Sequence, residues 1–230
     1  MSPTPEASVV IPVFSGDRFL SEAIRSVLGQ TVRPAEILVV DDGSTDDSAK
    51  VAGEFSEVRL ISQAHAGVSV ARNAGVAASR GALIAFLDGD DLWESERLER
   101  QIALAGTTPD AGVIMARQSY RFEGPVPGWF RGPVDGGSEP GYMPSNWLLR
   151  RETWLQVGGF TPGMSHSEDT DWLARASDLG VKVVMVDEPL VIHRIHDRNA
   201  SGLGTEVKAG IFTALRDSVR RKHSAAEQTQ

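Results

Sequence analysis

The sequence predicts an α/β protein in which a mostly parallel sheet is flanked by helices. Short runs of β-branched and aliphatic residues, such as 37–40 and 83–87, are bounded by turn residues and are typical of buried parallel strands. They alternate along the chain with stretches whose apolar residues recur at helical spacing. This alternation indicates right-handed βαβ units on one sheet.

The first half of the chain carries the regular alternation. Phe19 to Leu28 have one apolar face and are followed by Gly29, which predicts an amphipathic helix after the first strand. The acidic turn after the second strand leads into a second helix, with Ser44 or Thr45 as its predicted N-cap. The other predicted segments are strands 8–14, 36–40, 58–62, 82–87 and 113–117 and helices 68–79 and 95–105.

The alternation stops after Tyr120, where residues 121–145 contain many glycines and prolines. Loops of this length inside a compact domain are usually functional or disordered. Trp129, Phe130 and Tyr142 favour an ordered loop that packs onto a site. The remaining predicted segments are strand 146–150, helices 151–157 and 168–179, and two strands near 181–186 and 189–196.

Composition excludes several classes of protein. The chain has 230 residues, a formal net charge of −8 and no cysteine. This argues for one domain, against a broad nucleic-acid surface, and against disulfides or thiolate zinc sites. Residues 1–6 lack the features of a signal peptide, and no apolar stretch approaches the ~20 residues of a transmembrane helix. We therefore expect a soluble cytoplasmic protein.

The end of the chain predicts a basic amphipathic helix within residues 205–230. Such a helix can lie on anionic lipid, which would place the protein peripherally at the inner membrane face. It can also pack on its own domain and leave its charges in water. The short apolar stripe favours the packed arrangement.

Acidic clusters follow the predicted strands and open a late helix: 41–42, 88–91 and 168–171. In open α/β sheets, ligands bind beyond the carboxyl ends of the strands. Carboxylates gathered there repel one another unless a cation or a hydrogen-bonding ligand holds them. Asp88 and Asp90 form an oxygen-donor pair suited to Mg²⁺ or Mn²⁺, although a solvated acidic turn has the same sequence.

The other candidate residues each have a functional and a structural interpretation. Asp42, beside Asp41, could accept hydrogen bonds from a base or ribose, or merely form a turn. Arg72 could neutralise phosphate or lie on a helix surface. His196 could be a third metal or phosphate contact, or a packed residue. Asp169 lies in the first turn of a helix, where the dipole would keep it ionised and able to accept a proton, or where it only caps the turn.

Seven segments, in this order, resemble family-2 glycosyltransferases with the GT-A fold. They are SVVIPVF (8–14), SVLGQT (26–31), ILVVDDGSTD (37–46), GVSVARN (67–73), FLDGDD (86–91), VGGF (157–160) and EDTDW (168–172). The resemblance extends over roughly residues 8–201. It implies a GT-A domain over 1–204, with a nucleotide-binding half at about 8–118 and an acceptor half at about 119–204, followed by a tail over 205–230.

The resemblance also implies residue roles. Asp169 corresponds to the catalytic base, and Asp90 to the direct ligand of the metal. The donor-side residues are Pro12 and Phe14 flanking the base, Asp42 with Asp41 binding it, Arg72 near it, Asp88 near the ribose and metal, Gly89 between the two acids, and His196 near the metal and diphosphate. We expect Trp129, Tyr142, Asn146, Trp147 and Glu168 on the acceptor side.

The implied activity is inverting transfer of one sugar from a nucleotide-diphosphate sugar to an acceptor hydroxyl, dependent on Mn²⁺ or Mg²⁺. A UDP- or dTDP-sugar is the expected donor, and a saccharide, a lipid-linked molecule or a small molecule is the acceptor. The sequence departs from the family at Phe14-Ser15, where Tyr-Asn is usual, which weakens any inference about the base. It lacks the Gln-x-x-Arg-Trp signature of processive members.

Two other interpretations remain. A receiver domain has a similar acidic pocket but needs a lysine after its fifth strand, and the lysines here are at 50, 182, 208 and 222. A non-catalytic sugar-nucleotide-binding module of the same fold would carry most of the same motifs.

Overall fold

The computed structural model describes residues 6–164, 167–197, 199, 212–213 and 216–221. Within these residues, nine strands form one sheet that is flanked by helices. The strands are β1 (Ala7–Val13), β2 (Glu36–Asp41), β3 (Val58–Ser62), β4 (Leu83–Phe86), β5 (Leu92–Trp93), β6 (Ala111–Phe122), β7 (Glu139–Pro140), β8 (Leu148–Arg150) and β9 (Lys182–Ile195). The helices are α1 (Asp17–Leu28), α2 (Ser48–Gly53), α3 (Val68–Ala78), α4 (Arg97–Thr107), α5 (Arg151–Val157) and α6 (Glu168–Asp178), with a 3-10 turn at Pro144–Asn146.

The sheet is mixed, and its parallel part builds one edge of the molecule. The strand order is β3-β2-β1-β4-β8-β6-β9-β5, and β7 pairs with β6 off this path. β1 pairs in parallel with β2 and β4, β2 with β3, and β6 with β9, whereas β8 pairs antiparallel with β4 and β6. The α/β fold with flanking helices is confirmed, and the carboxyl ends of β1, β2 and β4 lie side by side.

Alternating strand residues divide the core between the two faces of the sheet. Val9 and Ile11 of β1 belong to a buried cluster with α1 and α4, while Val10 belongs to a second cluster with α3, α5 and α6. Successive side chains of a strand point to opposite faces, so a strand buried on both sides reads as a continuous apolar run. This explains why the strand segments could be recognised in the sequence.

Helix α3 lies unusually close to the sheet, because Gly75 has no side chain. A Cβ atom at Gly75 would lie 2.3 Å from Cγ1 of Val10 and 3.1 Å from Cγ2 of Val40. The close approach fixes α3 against β1 and β2. It thereby fixes the position of Arg72, which lies one turn earlier on the same helix.

Some local predictions were wrong. The two strands expected near 181–186 and 189–196 are one strand, β9, which follows β6 through register shifts at Ala116 and Arg117. The short strand β5 was not predicted. Neither Ser44 nor Thr45 caps α2, which begins at Ser48; the hydroxyl of Ser44 accepts a hydrogen bond from the Ser15 N–H instead.

The glycine- and proline-rich segment after β6 is ordered by ring contacts. Phe130 packs edge-on against Tyr120 at 4.7 Å and against Phe122 at 5.1 Å. Aromatic pairs at such separations add to the stability gained by burial. These contacts agree with an ordered loop, whereas Trp129, Phe130 and Tyr142, the residues expected to pack onto a site, do not line the cavity described below.

Most of the predicted C-terminal helix lies outside the described residues. In its described part, Ser218 and Arg221 hydrogen-bond to Asp178 at the end of α6, at 2.7 and 2.8 Å. These bonds favour packing of the tail on its own domain. Within the described part of the chain, none of the helices has both the length and the apolar character needed to cross a bilayer.

Candidate active site

The three acidic clusters meet at one cavity of about 1090 Å³. It opens beyond the carboxyl ends of β1, β2 and β4, where the open edge of an α/β sheet places its ligands. Ten of the predicted site residues line it: Pro12, Phe14, Asp42, Arg72, Asp88, Gly89, Asp90, Glu168, Asp169 and His196. Asp90 and Asp169, far apart in sequence, therefore share a cleft.

The Asp42 carboxylate is enclosed by the loop that follows β3. Its Oδ1 accepts hydrogen bonds from Gln63 Nε2 at 2.7 Å and the Ala66 N–H at 2.9 Å. Its Oδ2 accepts from the Gly67 N–H at 2.8 Å and lies 2.9 Å from His65 Nδ1. Burial raises the pKa of Asp42, but the donors from Gln63, Ala66 and Gly67 outweigh burial, and the pKa is lowered. Asp42 is thus a buried, ionised anchor of this loop.

Asp41 faces away from the cavity and has a local role. Its Oδ1 accepts a hydrogen bond from the Ser44 N–H at 3.0 Å, and the residue is buried. It is not among the residues that line the cavity. The turn-forming interpretation, which the sequence left open, describes its contacts.

An aromatic pair covers the neighbouring wall. Phe14 is 51 % exposed and stacks on His65 with ring centroids 4.0 Å apart and planes inclined by 25°. Sequence reasoning did not identify His65. The available signal was its position just after β3, at the same edge of the sheet as the acidic clusters.

Arg72 is buried between two carboxylates rather than beside Asp42. Its Nη2 lies 2.6 Å from Oδ1 of Asp88, and its Nη1 lies 2.5 Å from Oε1 of Glu168. Burial lowers the pKa of Arg72, but Asp88 and Glu168 more than offset burial and raise it above its usual value. Arg72 therefore links the turn after β4 to the first turn of α6, and its expected position near the base stays a prediction.

The turn after β4 is held in position by hydrogen bonds that involve buried polar groups. The Asp88 N–H donates to the hydroxyl of Ser145 at 3.0 Å. Arg97 is fully buried and donates to the carbonyl oxygens of Ser145 and Trp147 at 2.9 and 3.0 Å. Burial lowers the pKa of Arg97 well below its usual value. Sequence reasoning missed both Ser145 and Arg97, because their role depends on packing between distant segments.

Asp91 and His193 form a buried pair behind the acidic turn. His193 Nδ1 lies 2.7 Å from Oδ1 of Asp91, whose carboxylate is fully buried. Burial lowers the pKa of His193, but the charge of Asp91 outweighs burial and raises it to about 9. The pair holds β9 against the turn that carries Asp90.

The residues around Asp90 fit a divalent cation that is completed by a substrate. Asp90 has a side chain 35 % exposed, lines the cavity, and lies 3.0 Å from Nε2 of His196 through its Oδ2. Among the described residues, no group of three or more His, Asp or Glu side chains is arranged as a metal cage. Mg²⁺ and similar cations commonly use one or two carboxylates and take their other ligands from phosphates and water. Asp90, with Asp88 and His196 nearby, provides such a partial ligand set.

Asp169 has few hydrogen-bond donors among the described residues. It lies in the first turn of α6, and its described donors are both on Thr170, the N–H at 2.6 Å and the hydroxyl at 3.3 Å from Oδ1. Burial and then the charge of Glu168 raise the pKa of Asp169 above its usual value. That Asp169 is ionised at neutral pH stays a prediction. A carboxylate with a raised pKa is a stronger proton acceptor.

Three of the expected acceptor-side residues are buried, and of these Glu168 alone lines the cavity. Trp147 is fully buried and stacks on Phe160, with centroids 6.0 Å apart. Asn146 is fully buried and donates to Gln118 at 2.9 Å, while Glu168 is held by Arg72. Since Asn146 and Trp147 have no accessible surface, the expectation that they contact an acceptor is corrected.

The other two expected acceptor-side residues lie outside the cavity lining. Tyr142 is 61 % exposed and directly precedes Met143, which lines the cavity. Trp129 is half-buried against Phe130, with centroids 6.3 Å apart. Tyr142 therefore borders the rim, and Trp129 lies in the loop beyond it.

The sequence is similar to a known protein family and to individual members of it. Residues 8–163 match the family described as Glycosyl transferase family 2. The uncharacterized glycosyltransferase alr2836 of Nostoc sp. is 43 % identical over 46 % of this chain. The chain spans 35 % of the length of that relative.

Two solved structures share the fold at low sequence identity. The mannosyltransferase PcManGT of Pyrobaculum calidifontis, in complex with GDP-Man and Mn²⁺, superposes with a TM-score of 0.75 and 15 % identity over 95 % of this chain and 65 % of its own. Residues 1–349 of S. aureus TarS, in complex with UDP-GlcNAc, superpose with a TM-score of 0.72 and 16 % identity over 86 % of this chain and 60 % of that one. Both likenesses identify the architecture as that of GT-A glycosyltransferases.

Proposed function

Because this chain belongs to glycosyl transferase family 2, we propose that it transfers one sugar from a nucleotide-diphosphate sugar to an acceptor hydroxyl with inversion. The observation that carries the proposal is the shared cavity of Asp90 and Asp169. Asp90 follows β4, and Asp169 lies in the first turn of α6. We assign Asp90 to the diphosphate and Asp169 to the attacking hydroxyl.

The donor is proposed to lie along the β1 and β4 edge of the cavity. Pro12 and Phe14, which line the cavity, are proposed to flank the base, and Gly89 is proposed to contact the donor between the two acids of its turn. A UDP- or dTDP-sugar is the donor that the sequence resemblance implies. The GDP-Man and UDP-GlcNAc complexes of the two structural neighbours support a nucleotide-sugar donor of this general type.

Asp169 is proposed to be the general base. It removes the proton from the acceptor hydroxyl while that oxygen attacks the anomeric carbon from the face opposite the nucleotide. A bond forms between the acceptor oxygen and the anomeric carbon, and the bond to the diphosphate oxygen breaks, its electron pair leaving with the nucleotide. A positioned general base typically accelerates such a step ~10²–10⁴-fold. The raised pKa of Asp169 suits it to this task.

Asp90 is proposed to hold Mn²⁺ or Mg²⁺, with Asp88 and His196 as supporting ligands. A cation bound there would act as a Lewis acid toward the negative charge of the diphosphate. Arg72 keeps Asp88 oriented through its 2.6 Å contact. The Mn²⁺ complex of the PcManGT neighbour supports this proposal.

The acceptor is proposed to enter over the rim that carries Tyr142. The sequence resemblance allows a saccharide, a lipid-linked molecule or a small molecule there. We further propose that residues up to about 118 bind the donor and that about 119–204 shape the acceptor side. A binding module without catalytic activity is the alternative, since it would share the donor site.

The proposal is tested by nucleotide binding and by donor turnover. UDP is titrated into the full chain by calorimetry with Mn²⁺ and with EDTA, and release of nucleoside diphosphate is followed from UDP- and GDP-sugars with a panel of glycoside acceptors. We expect Mn²⁺ to tighten UDP binding, and Asp90→Asn to remove that effect. Asp187→Asn, at a side chain 96 % exposed, is the matched control.

The possible results separate the two candidate functions. Binding without turnover of any donor would favour the non-catalytic module. Absence of nucleotide binding would overturn both. For any acceptor that is glycosylated, NMR of the product should give the anomeric configuration opposite to that of the donor, and retention would contradict the inverting mechanism.

A further inference from the structure

The turn that carries Asp90 is joined to the end of β9 by a buried arginine, Arg194. Arg194 is 1 % exposed and does not line the cavity. We propose that Arg194 is a positioning residue, which orients Asp90 toward the cation without touching the cation or the substrate. This inference rests on the proposed function, in which Asp90 holds Mn²⁺ or Mg²⁺, and it adds a residue that sets how tightly the cation is held.

The guanidinium of Arg194 donates to three separate segments of the chain. Its Nε donates to the carbonyl oxygen of Asp90 at 2.8 Å, its Nη1 to Oε1 of Glu123 at 2.6 Å, and its Nη2 to Oε2 of Glu22 at 3.0 Å. Glu22 lies on α1, and Glu123 directly follows β6. Because a guanidinium is planar and its donors point in fixed directions, these contacts fix the Asp90 carbonyl relative to α1 and β6.

A second contact joins the same turn and strand in the opposite direction. The Arg194 N–H donates to Oδ1 of Asp91 at 3.1 Å, and this oxygen also lies 2.7 Å from Nδ1 of His193. The turn thus binds the backbone of β9 through Asp91, while β9 binds the backbone of the turn through Arg194. Contacts at the Asp90 carbonyl and at the next side chain restrict the backbone that carries the Asp90 carboxylate.

Arg194 also lies beside the residues that place His196. The Phe19 ring is 4.4 Å from Cζ of Arg194 and 4.9 Å from the His196 ring. Nε2 of His196 lies 3.0 Å from Oδ2 of Asp90. A displacement of Arg194 would therefore disturb both Asp90 and His196, two of the proposed cation ligands.

The position of Arg194 is not explained by stability alone. A buried charge is costly unless it is paired, and Arg194 is paired with Glu22 and Glu123, whose side chains are 50 % and 21 % exposed. Replacing buried ion pairs by nonpolar residues of similar volume is often neutral or stabilising. The hydrogen bond that a nonpolar residue cannot replace is the one to the Asp90 carbonyl, and it leads to the candidate cation site.

The test measures cation affinity directly rather than turnover. The affinity of the full chain for UDP is measured by calorimetry in EDTA and over a series of Mn²⁺ concentrations, and the midpoint of the Mn²⁺ effect reports the affinity of the cation site. Residues that orient metal ligands typically change metal affinity about 10–100-fold. We expect Arg194→Met to raise the Mn²⁺ midpoint by about this factor and to leave UDP binding in EDTA unchanged. An unchanged midpoint would overturn the inference.

Two further variants separate the geometry of Arg194 from its charge. Arg194→Lys keeps the charge but cannot donate to three segments in one plane, so the midpoint should stay raised. Full recovery of the midpoint with lysine would contradict a positioning role. Glu22→Ala removes one acceptor at an exposed site outside the cavity, and it should raise the midpoint by about two- to fivefold. If Arg194→Met does not fold, an unchanged midpoint in Glu22→Ala would reject the inference.

Arg150→Met is the matched control for a general loss of stability. Arg150 donates to the carbonyl oxygens of Ala111 and Ala105 at 3.0 and 2.8 Å and does not line the cavity. It should lower the free energy of unfolding and leave the Mn²⁺ midpoint unchanged; a raised midpoint would mean that lost stability alone weakens the site, and the inference would fail. If Mn²⁺ has no effect on UDP binding to the unaltered protein, the proposed cation site fails together with the inference. A Mn²⁺ effect that the Arg194 variants do not change overturns the inference alone.

Discussion

Two carboxylates on the wall of one cavity have opposite environments. Asp42 accepts hydrogen bonds from Gln63, Ala66 and Gly67 in the loop after β3, and its pKa is lowered. Asp169 has described donors on Thr170 alone, lies beside Glu168, and its pKa is raised. Burial raises the pKa of both acids, but hydrogen-bond donors outweigh burial at Asp42, whereas the charge of Glu168 adds to burial at Asp169. The satisfied acid holds the structure of the cavity, and the poorly satisfied acid is the one suited to accept a proton.

The same contrast extends to the regions that carry these acids. The donor edge consists of parallel strands whose acids are tied into turns, as in Asp41 with Ser44 and Asp42 with the 63–67 loop. The first turn of α6 forms another part of the wall, where Asp169 remains partly accessible. Arg72 joins the two regions through Asp88 and Glu168.

The largest expected effect is that of Asp169→Asn. The amide keeps the shape of the side chain but cannot accept the proton, so we expect kcat to fall ~10²–10⁴-fold. Affinity for UDP should not change, because the substitution lies away from the donor edge. Steady-state kinetics and calorimetry measure the two quantities. Glu152→Gln, at an exposed acid in the first turn of α5, is the control. Retained turnover in Asp169→Asn would remove the assignment.

Arg72→Met breaks the link between the two regions and should have the next largest effect. It leaves Asp88 and Glu168 without their cation, and removing one partner of a buried ion pair typically costs about 3–5 kcal/mol of unfolding free energy. Because Asp88 is partly exposed, we expect the lower end of this range. Urea unfolding provides the measurement.

A double variant sharpens the test of Arg72. Adding Glu168→Gln to Arg72→Met removes one of the two uncompensated charges. The double variant should therefore lose less unfolding free energy than the sum of the two single losses. Additive losses would show that Arg72 and Glu168 are not coupled. Such a result would contradict the role of Arg72 as a link.

The next prediction compares two aromatic residues that are close in sequence. Trp147 is buried and Tyr142 is exposed, and they are tested by Trp147→Phe and Tyr142→Ala. Trp147 Nε1 donates to the Tyr142 carbonyl at 2.9 Å, and loss of this donor should cost about 1–3 kcal/mol of unfolding free energy. Tyr142→Ala removes an exposed ring and should change stability by less than about 0.5 kcal/mol. Thermal unfolding measures both, and an equal cost for the two would contradict the assignment of Trp147 to the core.

The smallest expected effect is a difference between the pH at which activity is lost and the pH at which the protein unfolds in acid. Asp169 has a folded pKa above its usual 3.8, so its base form is lost as pH falls through that raised pKa. Its ionisation opposes folding, and its stability contribution is present below the unfolded pKa and lost as pH rises through the folded one. Asp42 has a folded pKa below 3.8, so its contribution persists above the unfolded pKa and is lost only as pH falls through the lowered one.

Activity should therefore fall at a higher pH than the fold does. Measuring kcat and tryptophan fluorescence over the same acid range should reveal a folded but inactive protein between the two transitions. Coincident transitions would contradict the opposite environments of Asp169 and Asp42.

Much of the fold could be predicted because local patterns encode it. The bounds predicted for β3 and α5 agree with the structure, since β-branched runs and turn residues mark them directly. The two-residue strand β5 and the continuity of β9 were missed. Both depend on pairing with a partner strand, and no local pattern specifies that partner.

For the acids at the cavity, too, some features could be predicted from local sequence patterns and others depended on distant residues. The sequence by itself determined that acidic residues stand at the ends of buried strands and at the start of a late helix, because apolar runs and turns are written along the chain. Only the tertiary structure decided which of those acids are occupied, since their partners are distant: the loop 63–67 reaches Asp42, and Arg72 reaches Glu168. Hydrogen-bond partners set the reactivity of a carboxylate, and folding alone brings them together.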